Sequence, residues 1–447
     1  MSFGQRLKMR RTEFGLLILA TFFMALALSA LTMARGEALT ADLGIVIGGF
    51  IGIFSVAHLS ICKYAPRADQ LLLPVVALLN GLGLILIYRI DLSRETNLAS
   101  RQVIWSIVAI ILMIIVLAVV KDHRILSRYS YILGFIGLIL LSLPLVWPTT
   151  LNADANIWIS IGPFSLQPGE FSKILLLLFF AQLLVNKRAL FNVAGYRILG
   201  LEFPRLRDLG PILLVWALAI LIMAGENDFG PALLLFCTVL AMIFLATGRV
   251  SWLVIGSILI GLAGVAIYQI SDKIQQRFIN FRDPLGNIDT SYQLVQSLFG
   301  LSSGGIFGSG LGMGYPELIP VAESDFILAV LGEELGFAAF AAVLVLFAIF
   351  VTRGLRTAIR IPDSYGKLVA SGLSMTIAIQ VFIVVAGITA LLPMTGLTTP
   401  FMSQGGSSLM ANYILLALLL RISDAANNQQ SARTSSTSST QAPEVVR

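Results

Sequence analysis

Charge is what this chain has least of. Only 12% of its 447 residues are Asp, Glu, Lys or Arg, against 57% hydrophobic, whereas soluble domains carry about a quarter charged residues. That balance excludes an ordinary water-soluble fold. Cysteine and histidine are scarce as well, with two of each. Cys62 and Cys237 sit inside or at the edge of apolar runs and read as packing residues, while His58 and His123 stand isolated. No metal-ligand spacing exists among them. No internal symmetry of the kind that paired-half transporters show is visible. The glycine run GGIFGSGLGMG (304–314) follows no strand and leads into no Gly-Lys-Ser/Thr, so a nucleotide loop is excluded. It suits close backbone packing, or backbone N–H groups aimed at an anion.

What the chain does have is long apolar runs. Twelve are candidates to cross a bilayer as helices: 14–34, 42–62, 70–89, 102–120, 131–147, 170–186, 209–224, 229–247, 251–270, 325–352, 368–391 and 408–421. The fold class is therefore an all-α polytopic membrane protein of about twelve spans. The first run follows a basic segment but lacks a clear cleavage site, so it is an uncleaved helix. With the N-terminus inside, most of the 30 basic residues fall in inner segments, as topology requires. The net charge of +6 is thus a topological bias and no sign of nucleic-acid binding. The same bias puts 148–169, the turn 225–228, the stretch 271–324 and the stretch 392–407 outside. The tail from Asn427 is rich in Ser, Thr and Gln and is expected to be disordered in the cytoplasm.

Chemistry is expected in those outer pieces. The stretch 271–324 shows no helical hydrophobic period and reads as one long functional loop. It carries Asp272, Asp283, Asp289, Glu317 and Glu323 beside Lys273, Arg277 and Arg282. Glu170 and Lys173 are three apart near a helix start at Pro168, and either pair with each other or serve a site. Glu226 and Asp228 either cap the next helix or line a cavity. Asp325 marks an outer mouth, with Glu333 and Glu334 about 12–14 Å further along its helix. Ionisable groups at membrane depth face a cavity or a partner, and here the partner would be Arg101 or Lys173. The Pro/Gly-punctuated stretch 393–408 is expected to line the same cavity.

Seven motifs resemble one family together. RQVIW (101–105), WISIGPFSLQPGEFSK (158–173), ENDFGPALL (226–234), RFINFRDP (277–284), SYQLVQSLFGLSSGGIFGSGLG (291–312), ESDFILAVLGEELG (323–336) and LPMTGLTTPFMSQGGSS (392–408) occur in the order seen in SEDS proteins, the group of RodA and FtsW. The likeness covers about 70–421, which leaves 1–69, with two extra spans, as an N-terminal extension, 70–422 as the family core, and 423–447 as the tail. The resemblance implies a peptidoglycan glycosyltransferase that polymerises lipid II at the outer face of the cytoplasmic membrane. It also implies a class B penicillin-binding partner, and an elongation role is favoured over a division role. Carried onto this chain, it marks Arg101, Trp158, Gln167, Glu170, Lys173, Asp228, Arg277, Gln296, Asp325, Glu333 and Ser407 for substrate binding.

The catalytic carboxylate is Asp289 or Asp283, with Asp289 first. The family places it six residues before a tyrosine, whereas here Asp289 stands three before Tyr292 and Asp283 nine before. Three further departures are Ile157 for a basic residue, Gly169 for the serine of "QPSE", and Glu323 where histidine is common. Arg277, Lys173 and Arg101 would meet the pyrophosphate, held in place by Glu170, Glu333 and Asp325. No cofactor is called for, although a divalent cation would suit the pyrophosphate. The competing readings are a lipid-precursor flippase, an ion-coupled transporter and a non-catalytic scaffold.

Overall fold

The computed structural model describes residues 2–34, 41–147, 157–161, 164–191, 196–198, 201–203, 206–226 and 228–439. Expectations for 148–156 and for the end of the tail fall outside these residues. The chain begins with a short helix, α1 (Phe3–Met9), and then two apolar helices, α2 (Arg11–Ala34) and α3 (Ala41–Tyr64). The core follows with α4 (Leu72–Arg94), α5 (Leu98–Val119), the single turn α6 (Arg124–Arg128) and α7 (Ser130–Val146). A hairpin of β1 (Ile159–Ile161) and β2 (Phe164–Leu166) leads into α8 (Pro168–Phe191). A second hairpin, β3 (Tyr196–Ile198) and β4 (Leu201–Phe203), precedes α9 (Leu206–Gly225), α10 (Phe229–Thr247) and α11 (Ser251–Ile270). Two helices outside the apolar set, α12 (Asp272–Arg282) and α13 (Ile288–Gly304), come before the last three, α14 (Ile327–Arg360), α15 (Ser364–Ile388) and α16 (Gly406–Ser439).

Every one of the twelve expected spans is a helix. Among the described residues, ten are long and apolar enough to cross a membrane. The other two are α7, shorter at 17 residues, and α9, of 20 residues. Packing follows composition. α4 is apolar on all sides and is mostly buried, as such a helix must be. It is covered by α2 of the extension and by α14, while α3 lies on α5. α8, α15 and α16 complete the buried centre, and α11 is almost entirely exposed along its length. Buried polar groups in this centre have work to do. Asp91 of α4 accepts the N–H groups of Leu98 (2.9 Å) and Ala99 (2.6 Å), which satisfies orphan donors at the start of α5.

Two expectations are corrected. The stretch 271–324 is largely helical, not a continuous loop. Ser271 accepts the Ile274 N–H at 3.4 Å and starts α12, whose apolar residues Ile274, Phe278 and Phe281 share one side; the Phe278 ring packs between Tyr268 of α11 and Phe281. Two short amphipathic helices in tandem blur the period that one long helix would show. The tail is also helical further than expected, since α16 runs on past Asn427 to Ser439. Its extra turns are anchored: Asn427 donates to the Arg67 carbonyl at 2.7 Å, and Asn428 pairs with Arg67 and Asp424.

Candidate active site

The α12–α13 pair forms a lid beside the ends of the apolar helices. Asn280 and Gln276 of α12 bond to Thr290 of α13 at 2.8–2.9 Å, which holds the two together. Under them lies a cavity of about 1010 Å³. Its charged lining is Asp272, Lys273 and Arg277 from α12, Asp289 from the first turn of α13, and Asp325 just before α14. Lys273 and Arg277 are four apart on one helix, so their cations project on the same side. Arg277 donates to the Thr395 carbonyl at 3.4 Å. A Cβ placed on Gly396 would lie 3.7 Å from both Arg277 Nη2 and Asp325 Oδ2, so guanidinium and carboxylate converge at that glycine. Gly396 has φ +74°, which a side chain there would strain. Asp325 also accepts the Ser324 hydroxyl at 2.9 Å, and burial holds its carboxyl above the ordinary carboxylate range despite that bond and Arg277.

Beside this cavity runs a narrow buried shaft of about 20 Å³, roughly the room for one water. Glu170, Lys173, Glu226 and Asp228 line it. Lys173 Nζ pairs with Glu170 at 2.6 Å and reaches Gln380 at 3.4 Å, and Gln380 in turn donates to the Thr398 carbonyl at 2.8 Å. The Gln167 N–H donates to Ser407 Oγ at 2.9 Å. Asp228 takes the position before α10 but makes no capping bond with its side chain. Burial pushes its carboxyl up to about 7, helped by Glu170 and Asp325 and opposed by Lys273 and Arg277. Asp228 therefore feels charges from both the shaft and the large cavity. Glu226 is buried, its Oε1 has no partner, and burial first and Asp228 second push it up to about 8. Cavity lining, not capping, is the role of both acids.

The residues expected from sequence divide clearly. Asp289, Arg277 and Asp325 line the large cavity. Gln167, Glu170, Lys173 and Asp228 line the shaft, with Ser407 bonded to Gln167. The stretch after α15 reaches both, through Met394 and Gly396 to the cavity and Leu397 to the shaft. Asp283 lies outside both, exposed after α12, where it accepts the Gly286 N–H at 2.9 Å and closes a turn. Arg101 is exposed on α5, and Trp158 and Gln296 are half-buried; none of the three lines either space.

Glu333 does not hold a cation of the cavity. It accepts the Tyr315 N–H at 2.9 Å, and Glu334 accepts the Gly312 N–H at 3.1 Å while pairing with Arg89 at 2.7 Å. Arg89 also donates to the Gly314 carbonyl at 2.7 Å. These acids fasten the glycine run, and their partner is neither Arg101 nor Lys173. Sequence reasoning missed Arg89 as that partner. It also left Lys273 out of the site, although reading 272–282 as a helix would have placed Lys273 beside Arg277. Among the described residues no three His, Cys, Asp or Glu side chains group as metal ligands.

A polytopic all-α membrane protein with a charged cavity at one end of its bundle is the class that fold and site define. The chain belongs to the FtsW/RodA/SpoVE family of cell cycle proteins, whose model matches residues 69–428. It is 49% identical over 396 residues to the peptidoglycan glycosyltransferase RodA of Mycobacterium leprae, covering 87% of this chain and 85% of that protein. It is 48% identical over 426 residues to RodA of Mycobacterium tuberculosis, covering 93% and 91%. Its fold resembles a chain of a solved peptidoglycan synthase complex, described as coordinating polymerization and crosslinking, with a TM-score of 0.57 at 23% identity over 85% of this chain and 97% of that one.

Proposed function

We infer that this protein is a RodA-type peptidoglycan glycosyltransferase that serves cell-wall elongation and cell shape. Its substrate is lipid II, its cavity faces the extracytoplasmic side, and it works with a class B penicillin-binding partner. The observation that carries the reading is that a carboxylate, Asp289, lines the same large cavity as two cations, Lys273 and Arg277. The relatives named as this enzyme, alike over nearly the whole chain, support it.

Polymerisation joins the C4 hydroxyl of one lipid-linked sugar to C1 of another. The hydroxyl loses a proton, the new C–O bond forms, and undecaprenyl pyrophosphate leaves with the bonding pair. The α-linkage becomes β, which is inversion in a single displacement. The step needs a carboxylate to take the proton and cations to meet the departing charge. Asp289 is exposed to the cavity and is the base. Lys273 and Arg277 receive the pyrophosphate, with Asp325 orienting Arg277. The Glu170–Lys173 pair and Asp228 form the polar floor. The test is incubation of purified protein, with and without the partner, with labelled lipid II and resolution of glycan products on a gel. Polymer from wild type that vanishes in Asp289→Ala supports the reading. No polymer from any sample with the partner bound would sink it.

A further inference from the structure

The wall of the cavity between the glycine run and α14 is not held by the cavity's own residues. Pro320, Asp325 and Phe326 line the cavity, while Arg94 and Glu323 do not. Between the lining residues stands Val321 with φ +54°. A β-branched residue in the left-handed region is an outlier that persists only where its surroundings fix it. The surroundings here are specific. Arg94, the last residue of α4, donates to Glu323 Oε2 at 3.0 Å and to the Ile319 carbonyl at 2.6 Å. It also reaches the Glu317 carbonyl at 3.4 Å. One planar guanidinium thus clips both sides of the Val321 turn to the end of a buried helix, a task that suits its fixed fork of donors. On the far side the Gln404 N–H donates to the Glu323 carbonyl at 2.8 Å, and the Ser403 hydroxyl donates to that of Ser324. Asp325, the next residue, is the carboxylate that meets Arg277 at Gly396.

We propose that Arg94, through Glu323 and the Ile319 carbonyl, is a positioning residue that holds the 319–325 turn in its strained form and so places Asp325 opposite Arg277. This rests on the function inferred above. It adds a specific prediction about a residue that touches neither the cavity nor the substrate. With the clip opened, Val321 is free to relax and Asp325 withdraws from Arg277. Displacements of about 1 Å at a distance from the chemistry can cost about 100-fold.

The experiment uses the full-length protein with its partner. Arg94→Ala, Glu323→Ala and the double variant are compared with wild type in lipid II polymerisation, with KM and kcat separated. Amide hydrogen exchange over 316–326 is followed without substrate. Each single variant is expected to raise KM and to lower kcat/KM by roughly tenfold or more. The double variant should be no worse than the worse single one, as coupled partners behave. Exchange at 319–325 should accelerate while the rest of the chain is unchanged. Activity within twofold of wild type, additive losses, or unchanged exchange each overturn the proposal. If Arg94→Ala does not fold, Glu323→Gln carries the test, since it keeps the carbonyl contacts of Arg94 and removes the ion pair; wild-type kinetics in that variant also overturn it. Should wild type make no polymer, the inferred function fails, and the exchange result still decides whether the clip holds the turn.

Discussion

The two ends of the helix bundle use the same residue types in opposite ways. At the end where α1 meets the α3–α4 connection, the buried charges are consumed in packing. Arg10 and Glu13 are fully buried and pair with each other, Arg10 donates to the carbonyls of Ala65, Pro66 and Ala68, and Glu13 meets His58 Nδ1 at 2.6 Å. Close by, Arg353 pairs with Asp69 at 2.6 Å, and Arg421 donates to the carbonyls of Tyr64 and Leu117. At the other end, Lys273, Arg277 and Asp289 line 1010 Å³ of open space. Charge composition alone does not separate these ends. What separates them is whether a charged group is enclosed by partners or borders a volume large enough for another molecule. The first arrangement ties the extension to the core, and the second leaves room for chemistry.

The comparison breaks most sharply if Asp289→Ala keeps its activity. Loss of a general base costs about 100- to 10,000-fold, so polymerisation in that variant should fall at least a hundredfold with the fold intact. Next in size, Arg10→Ala leaves the buried Glu13 carboxylate with His58 alone, and opening a buried pair costs about 3–5 kcal/mol. Its thermal midpoint should drop well below that of wild type in detergent, while turnover per folded molecule stays near normal. A variant that is stable but inactive would show that the packed end also serves catalysis. Arg89→Ala should behave between these two, because it strands Glu334 and also loosens the glycine run. Both stability and turnover should suffer, as unfolding and assay in parallel will show.

A smaller effect is expected from protons. Glu226 is raised from 4.5 to about 8 in the fold, so its neutral form favours the folded state. That contribution is complete below the unfolded value and is lost as pH rises through about 8. Glu226→Gln should flatten the decline of thermal stability on the alkaline side and leave acid stability unchanged. The smallest change is assigned to Asp283→Asn, since its carboxylate closes an exposed turn outside the cavity. Activity should stay within a few-fold of wild type. A total loss there, with Asp289→Ala active, would reverse the assignment of the base.

Much of this was legible in the residues. Long apolar runs located every span, because a helix in lipid must satisfy its own backbone and shows little else. The glycine run was legible as close packing, and a Cβ at Gly304 would indeed lie 2.0 Å from the Gly332 carbonyl. Asp289 lines the cavity and Asp283 closes a turn outside it. Pairings were not legible. Arg89 and Glu334 are 245 residues apart, and Arg94 and Glu323 are 229 apart. Which buried acid meets which base depends on how helices pack, and no local pattern carries that. The same holds for His58 and His123, isolated in sequence yet bonded to Glu13 and Asp363 in the fold.

Within α14 the helix is interrupted at Gly336, with φ +76° and ψ −178°. The glycine run fills the break. Ser309 and Gly310 donate to the carbonyls of Glu333 and Glu334, while Phe337 and Ala338 donate to those of Gly305 and Ile306. Two strands of chain that are distant in sequence are thereby spliced into one continuous hydrogen-bonded column. A splice has a register, and this one tolerates no change of length. One residue added between Gly304 and Gly310 would shift every donor past its acceptor inside the bundle. Members of this family should therefore keep a fixed count of residues from the glycine run through to the break in α14.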